Sequence, residues 1–261
     1  VSSVSLPQAN RYRRAMTSGL DSPLATPPTV GKVLVITAHP DDVDFGSAGT
    51  IAMWTNEGIE IAYCIITDGA AGSSDPAVVL SELPARRQAE QRKAAAEVGV
   101  SDVSFLGYPD GRLEVTYVLR SDLSRVIRQV RPERVVCQSP ERNWERIRAS
   151  HPDHLAAGEA VLQAVYPDAR NPYAHPELLE DGLEPHEVAE VWLMASPRAD
   201  HFVDITNAME RKIAALKCHE SQVGDADGLE DFVRRWAANT AERAGFLPGH
   251  FAEAFQVVDT R

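Results

Sequence analysis

Four short runs of almost uninterrupted apolar residues constrain the fold of this chain more than any other feature. They are KVLVIT at Lys32–Thr37, EIAYCIIT at Glu60–Thr67, ERVVC at Glu133–Cys137 and EVWLMA at Glu190–Ala195. None alternates apolar with polar residues along its length. A strand built from such a run must be covered on both faces, which is the situation of a parallel sheet flanked by helices. Between and after the runs, helical spacing predicts helices over Gly46–Asn56, Ser81–Val98, Tyr117–Val130, Asp153–Ala164, Thr206–His219 and Asp231–Ala244. Ser81–Val98 places Arg, Glu and Gln on one side and Leu83, Ala89, Ala94, Ala95 and Val98 on the other, and Gly99 closes it as a C′ glycine does. Val103–Leu106 reads as a further short strand, and Tyr166–His186, with its prolines and acidic residues, as an irregular surface excursion.

Strand–helix alternation of this kind predicts an α/β fold, a Rossmann-like, mostly parallel sheet with helices on both faces, in a single domain with a C-terminal embellishment. The 261 residues suffice for one such domain. Residues 1–31, rich in Ser, Pro and Thr, read as an arm that is poorly ordered or draped over the surface, and residues 32–261 as the folded domain. The arm lacks the apolar core of a secretory signal, and no segment reaches the roughly 18 apolar residues that cross a bilayer. A net charge of −12 argues against a general binder of nucleic acid or anionic membranes. Cys64, Cys137 and Cys218 are odd in number and far apart, with the first two inside aliphatic runs, so reduced thiols and a cytoplasmic protein are expected.

The first run ends in AHPDDVDFGSAGTIA, which sets His39, Asp41 and Asp42 at the carboxyl end of a strand, where ligands gather in parallel sheets. Adjacent aspartates in an extended turn point in different directions. One can ligate a metal while the other faces a water beside it, with His39 close enough to share the centre. A second cluster, His151-Pro152-Asp153-His154, follows ERVVC after a polar loop. Its two histidines, three apart at a helix start, are neighbours on one turn, and proline is well tolerated there. Together the clusters offer two histidines and an aspartate with positions left open, the pattern of a hydrolytic zinc centre. The other Asp and His are left for proton transfer and oxyanion stabilisation. The residues alone do not choose which aspartate ligates. Taken singly, each cluster also reads as a helix cap. Both following strands, with complementary donors, weighs toward a site. A dinucleotide-binding turn is excluded, because carboxylates stand where a glycine-rich loop would have to approach pyrophosphate.

In order and spacing AHPDDVDFGSAGTIA, TDGAAGS, RRQAEQRKAAAEVGV, FLGYPDGRL, HPDH and VDITNAMERKIAALKCHESQ resemble the PIG-L/LmbE-like deacetylases, over about Lys32–Gln222. That family includes N-acetylglucosaminyl-phosphatidylinositol deacetylase, thiol-pathway deacetylases and mycothiol conjugate amidase. The resemblance implies that residues 32–261 form a deacetylase-like catalytic domain. It implies one Zn2+ per chain held by His39, Asp42 and His154, with Asp41 as the general base. His151, held and kept basic by Asp153, would stabilise the oxyanion or protonate the leaving amine. Arg87, Asp110 and His219 are similar to residues near the family's sugar site, and Thr67-Asp68-Gly69 could line the pocket. Such sites select poorly between divalent metals by affinity alone, so iron or cobalt could replace zinc. Val43 stands where many thiol-pathway members carry Glu, which weakens a mycothiol-specific reading. The loop Ser139–Ser150, with Arg142, Trp144, Arg146 and Arg148, reads either as solvated or as a contact for an anionic or aromatic part of a substrate.

The expected activity is removal of an N-acetyl or other N-acyl group from an N-acylglucosamine-containing small molecule. The alternatives are cleavage of a larger amide, such as a mycothiol S-conjugate, and a non-catalytic carbohydrate-binding relative. The expected partner is a small-molecule N-acyl amino sugar or its conjugate, with no nucleic acid and no membrane span, and a homo-oligomer is left open.

Overall fold

A computed structural model describes residues 30–73, 78–223 and 227–261. Residues 1–29 of the expected arm lie outside the described residues. The four apolar runs are strands β1 (Lys32–Thr37), β2 (Glu60–Thr67), β4 (Arg134–Gln138) and β5 (Glu190–Met194), and the expected third strand runs longer as β3 (Asp102–Tyr108). All five pair in parallel: Val35 lies opposite Tyr63 on one side and Val136 on the other, and Val135 lies opposite Val191.

Two strands extend the sheet beyond what the runs indicate. In chain order they are β6 (His201–Asp204) and β7 (Ala252–Asp259), which complete a seven-stranded sheet of order β3-β2-β1-β4-β5-β7-β6. Strand β7 is antiparallel to both neighbours, with Leu193 opposite Gln256. The sheet is therefore mixed at one edge, and the C-terminal embellishment is partly sheet. HFVD is too short and AEAFQVVD too broken by Glu253 and Gln256 to show as aliphatic runs.

The helices are α1 (Asp42–Asn56), α2 (Leu83–Glu97), α3 (Tyr117–Val130), α4 (Pro152–Gln163), the short α5 (Pro176–Glu180), α6 (Met209–Lys217), the single turn α7 (Glu220–Val223) and α8 (Leu229–Arg243). Successive strand residues face opposite ways, so each central strand feeds two cores. Leu34, Ile36, Cys64, Val135 and Cys137 pack with Leu119, Leu123 and Ile127 of α3 and Val161 of α4. Val33, Val35, Tyr63 and Val136 pack with Ile51 of α1 and with Ala94 and Ala95 of α2 on the other face. Burial of each such aliphatic side chain stabilises by about 1.5–3 kcal/mol. A third cluster, Met209, Ile213, Leu216, Val233 and Ala237, joins α6 to α8.

Two helices differ from their sequence-based expectation. Helix α1 begins at Asp42 rather than Gly46, so the aspartate pair forms its cap and first turn and not an extended linker. Carboxylates at a helix N-terminus meet unpaired N–H groups and the positive end of the dipole, which outweighs their turn-like reading. In α2 the face toward the protein is Leu83, Arg87, Glu90, Gln91, Ala94 and Ala95, while Ala89 is exposed. The polar residues of that helix are buried because the site lies beneath them. In this strand order β2 and β4 flank β1, so the chain leaves β1 to one side and returns on the other. The resulting crevice, at the carboxyl ends of β1 and β4, is where open α/β sheets bind ligands.

Candidate functional site

Strand β1 runs through Ala38 directly into His39, and the first turn of α1 follows. Asp41 is the N-cap at φ 93°, a left-handed conformation that costs a non-glycine residue about 1–3 kcal/mol. Three contacts hold it there. Its amide donates to Gln91 Oε1 (2.8 Å), Arg87 donates to the Pro40 carbonyl (2.6 Å), and the Arg87 guanidinium lies 3.4 Å from the Asp41 carboxylate. Arg87 is 3% exposed and also donates to Gly69 O. A Cβ on Gly69, itself at φ 68°, would meet that guanidinium at 2.8 Å, so the glycine of TDGAAGS makes room for it.

Strand β4 ends in Gln138, and the loop after it leads through a 3-10 turn at Ile147–Ser150 to His151, the N-cap of α4, with Pro152 in the first turn. His154 thereby comes over the end of β1. His39 Nδ1 and His154 Nε2 are 3.3 Å apart, and the Asp42 carboxylate lies 3.2 Å from the former and 3.0 Å from the latter. The outward side of each group is tied. His39 Nε2 faces Asp110 at 3.0 Å and Asp153 at 3.2 Å, and His154 Nδ1 faces the Ala149 carbonyl at 3.3 Å. Asp42 Oδ2 accepts from the His39 amide (2.7 Å) and from Gln138 Nε2 (2.8 Å).

Four carboxylates, Asp41, Asp42, Asp110 and Asp153, thus crowd one small volume, with Arg87 at its margin. Burial alone would lower His39, but the Asp42 and Asp110 charges and hydrogen bonds push it up to about 11. Burial, and then the neighbouring Asp42 charge, raise Asp41 to about 6. Asp42 is held well below the carboxylate range, because His154 and His39 overcome the burial that would raise it. Burial, and then the charges of His39 and His154, lower His151. A centre that draws a proton so strongly onto His39 is a centre that asks for a cation.

Groups able to hold a metal are His39 with His151 and His154, and His39 with Asp110 and Asp153. The donors of His39, Asp42 and His154 meet as well: the imidazole nitrogens are 3.3 Å apart, with Asp42 Oδ2 3.2 Å from His39 Nδ1 and Asp42 Oδ1 3.0 Å from His154 Nε2.

Other expected residues fall differently. The Asp153 carboxylate makes no hydrogen bond to His151, although its charge raises that imidazole against burial. The carboxylate accepts from the Gly111 (2.7 Å) and Leu113 (3.2 Å) amides and meets His39, while the Asp153 backbone amide donates to His151 Nδ1 (3.2 Å). At the start of a helix a carboxylate turns to nearby free amides rather than back to its own cap. Asp110 lies at the site, its Oδ2 accepting from the Ala71 amide (3.0 Å). Asp68 builds the turn and accepts from the Asp110 amide (3.2 Å). Arg87 is no solvated helix arginine; it braces the Asp41 turn. His219 is fully buried behind the site, with Nε2 2.8 Å from Asp44 Oδ2.

Asp44, Gln91 and Gln138 were not singled out by sequence reasoning. Gln91 Nε2 donates to Asp44 Oδ2 (2.8 Å), so a chain of contacts runs from His219 through Asp44 and Gln91 to the Asp41 amide. The third aspartate of DDVD, and a glutamine terminating an aliphatic run, were the available signals.

A mostly parallel α/β sheet with a buried imidazole–carboxylate centre at its switch point has the form of a metal-dependent hydrolase. This chain belongs to the PIG-L family, described as GlcNAc-PI de-N-acetylase, whose model matches residues 34–165, about half of it. It is 36% identical to diacetylchitobiose deacetylase of Thermococcus kodakarensis over 246 residues, 94% of this chain and 90% of that protein. It is 31% identical to a probable N-acetyl-α-D-glucosaminyl L-malate deacetylase 2 of Bacillus subtilis, covering 73% of this chain and 82% of that one. The structure of N,N′-diacetylchitobiose deacetylase from Pyrococcus horikoshii, complexed with its inhibitor MPG, superposes with a TM-score of 0.83 at 29% identity, over 98% of this chain and 94% of that one. Among the described residues no helix is long and apolar enough to cross a membrane.

Proposed function

We propose that this protein is a zinc-dependent N-deacetylase of N-acetylglucosamine-containing small molecules. The observation that carries the reading is the compact triangle of His39, Asp42 and His154 with every outward donor and acceptor tied. Such tying fixes the tautomer of each imidazole and the direction of its lone pair. Two converging imidazoles and a carboxylate suit zinc, and other divalent ions by the same donor chemistry. When bound there, the ion supplies Lewis-acid polarisation of the amide carbonyl and acidification of a water molecule.

The remaining roles belong to the chain's own residues. Asp41 accepts the proton of the attacking water at its carboxylate. Arg87 flanks it at 3.4 Å, and burial, then the Asp42 charge, keep it basic enough to do so. His151 accepts from a peptide N–H at Nδ1, so in the neutral form its proton is on Nε2. That proton is available to the oxyanion or the departing amine. Arg87 holds Asp41 in place, and Asp110 and Asp153 hold His39. The free, mostly buried cysteines suit a reducing compartment, the cytoplasm.

The test is amine release from N,N′-diacetylchitobiose and a panel of N-acetylglucosaminides, before and after chelation and zinc add-back. Release should be chelator-sensitive, and Asp41→Asn should lower kcat by about 10²- to 10⁴-fold with zinc still bound. No release from any sugar by protein holding stoichiometric zinc would move the assignment to a larger amide.

A further inference from the structure

A second cavity opens on the same edge of the sheet, beside the carboxyl end of β5. It has a volume of about 310 Å³ and lies between the loop after β4 and α8. Its floor is the Lys212–Glu253 pair (2.6 Å), and Phe45 and Gly46 of α1 form one wall. Phe45 follows Asp42 by three residues, about 4.5 Å along the axis, so the cavity and the proposed metal centre share helix α1. The loop that forms its lid ends in His151.

The charge of this cavity runs against that of the protein. Arg142, Arg146 and Arg243 line it, and none of the three guanidiniums has a carboxylate or hydrogen-bond partner among the described residues. Glu253 is already satisfied by Lys212, by the Gly49 and Thr50 amides (3.0 and 2.8 Å) and by the Thr50 hydroxyl (2.6 Å). Glu145 is the other carboxylate of the lining. The cavity therefore holds four cationic side chains against two carboxylates in a chain of net charge −12. Arg146 stacks on Trp236 with its guanidinium carbon 4.9 Å from the ring centre, and Arg142 approaches Trp144 at 5.6 Å. Stacking fixes the plane of a guanidinium and leaves its N–H edge free for a bidentate acceptor. Arg146 and Arg243 are both exposed at the mouth of the cavity, and their like charges repel, a repulsion that an anion between them would relieve. The volume is at the small end for ligand pockets and admits about one ring.

We propose that this cavity is an anion-binding subsite that takes a carboxylate or phosphate carried on a sugar-sized body. The anion comes either from the part of a substrate beyond its N-acetylglucosamine ring or from a separate small ligand; the first source rests on the deacetylase reading above. Calorimetric titration of the protein with glucuronic acid, glucose 6-phosphate and glucose tests the site without any turnover. The charged sugars should bind at least about 10-fold more tightly than glucose. Arg146→Ala/Arg243→Ala should abolish the difference, and Arg146→Lys should restore only part of it, because a lysine keeps the charge but not the planar fork. Equal binding of charged and neutral sugars, or a preference that survives the double variant, would overturn the proposal.

A kinetic arm separates the sources. For the zinc-loaded enzyme, a rise of about 10-fold in KM for N-acetylglucosaminyl malate in the double variant, with kcat and diacetylchitobiose turnover unchanged, identifies the substrate's own anion. Unchanged kinetics with lost glucuronate binding identifies a separate ligand. Absence of amine release from both glycosides would defeat the deacetylase reading and leave the titration to decide the subsite.

Discussion

Asp41 occupies a backbone conformation that few non-glycine residues adopt, and the neighbours that hold it there are buried and polar. Gln138 plays the corresponding part for Asp42, donating to its carboxylate while accepting from the Ala38 amide (3.1 Å). Gln138→Leu keeps the volume and removes the donor. It should weaken zinc binding by about 10- to 100-fold, read by competition with a chromogenic chelator. An unchanged affinity would show that Asp42 needs no such support. His219 carries a pH signature. Burial opposes its charging, but the hydrogen bond to Asp44 and the charges of Asp44 and Asp41 outweigh this and raise it above 6.5. A raised histidine contributes stability that is full below the unfolded value of about 6.5 and is lost as pH climbs through the folded one. The stability gap between the wild type and His219→Gln in urea should therefore be widest near pH 6 and shrink toward pH 9. A gap that grows with pH would mean that His219 is neutral in the fold.

At the scale of elements, α1 is the part on which the site depends most. Lys212 of α6 donates to the Asp44 (2.9 Å) and Phe45 (2.7 Å) carbonyls, while Glu253 of β7 accepts from the Gly49 and Thr50 amides. One buried ion pair therefore clamps successive turns of α1, and it is supplied by the C-terminal part of the chain. The glycines of GSAGT make room for apolar neighbours instead, since a Cβ on Gly46 would collide with Met194 and one on Gly49 with Ile205. Lys212→Met leaves Glu253 charged and uncompensated in the core, and should cost about 3–5 kcal/mol in denaturant unfolding. Lys212→Met/Glu253→Gln keeps an acceptor for the amides without the bare charge and should recover part of that loss. A cost below about 1 kcal/mol for the single variant would argue against the clamp. Helix α4 is located by a closer approach: a Cβ on Gly158 would collide with the Gln138 carbonyl, so this glycine lets α4 pack onto the end of β4 and bring His154 to Asp42.

For the molecule as a whole, the crowded carboxylates mean that metal and fold are linked. A ligand that binds only the folded state stabilises it by about 2.7 kcal/mol at 100 times its dissociation constant. For a domain of this size that amounts to an increase of roughly 5–10 °C in Tm. Chelation should lower the Tm by about that amount, and zinc should restore it. A melting curve indifferent to chelator would remove the metal from the site.

The parallel sheet was legible in KVLVIT, EIAYCIIT, ERVVC and EVWLMA because a strand covered on both faces has no choice but to be apolar throughout. The chemistry was legible in AHPDD and HPDH because few structural demands place histidine and paired carboxylates at strand ends. Strands β6 and β7 were not legible: β6 is a four-residue edge strand, and β7, although paired on both sides, carries Glu253 and Gln256, whose burial depends on what lies across from them. The same limit hid Asp44, Gln91 and Gln138, whose roles arise from partners between 47 and 175 positions away. It also hid the partners of the Asp153 carboxylate, because a carboxylate bonds to whichever amides the fold presents, here those of Gly111 and Leu113. By itself the sequence determined which residue types would meet at the end of β1. Only the tertiary structure decided which atoms face each other, because hydrogen bonds are directional over about 3 Å and that direction is set by distant segments of the chain.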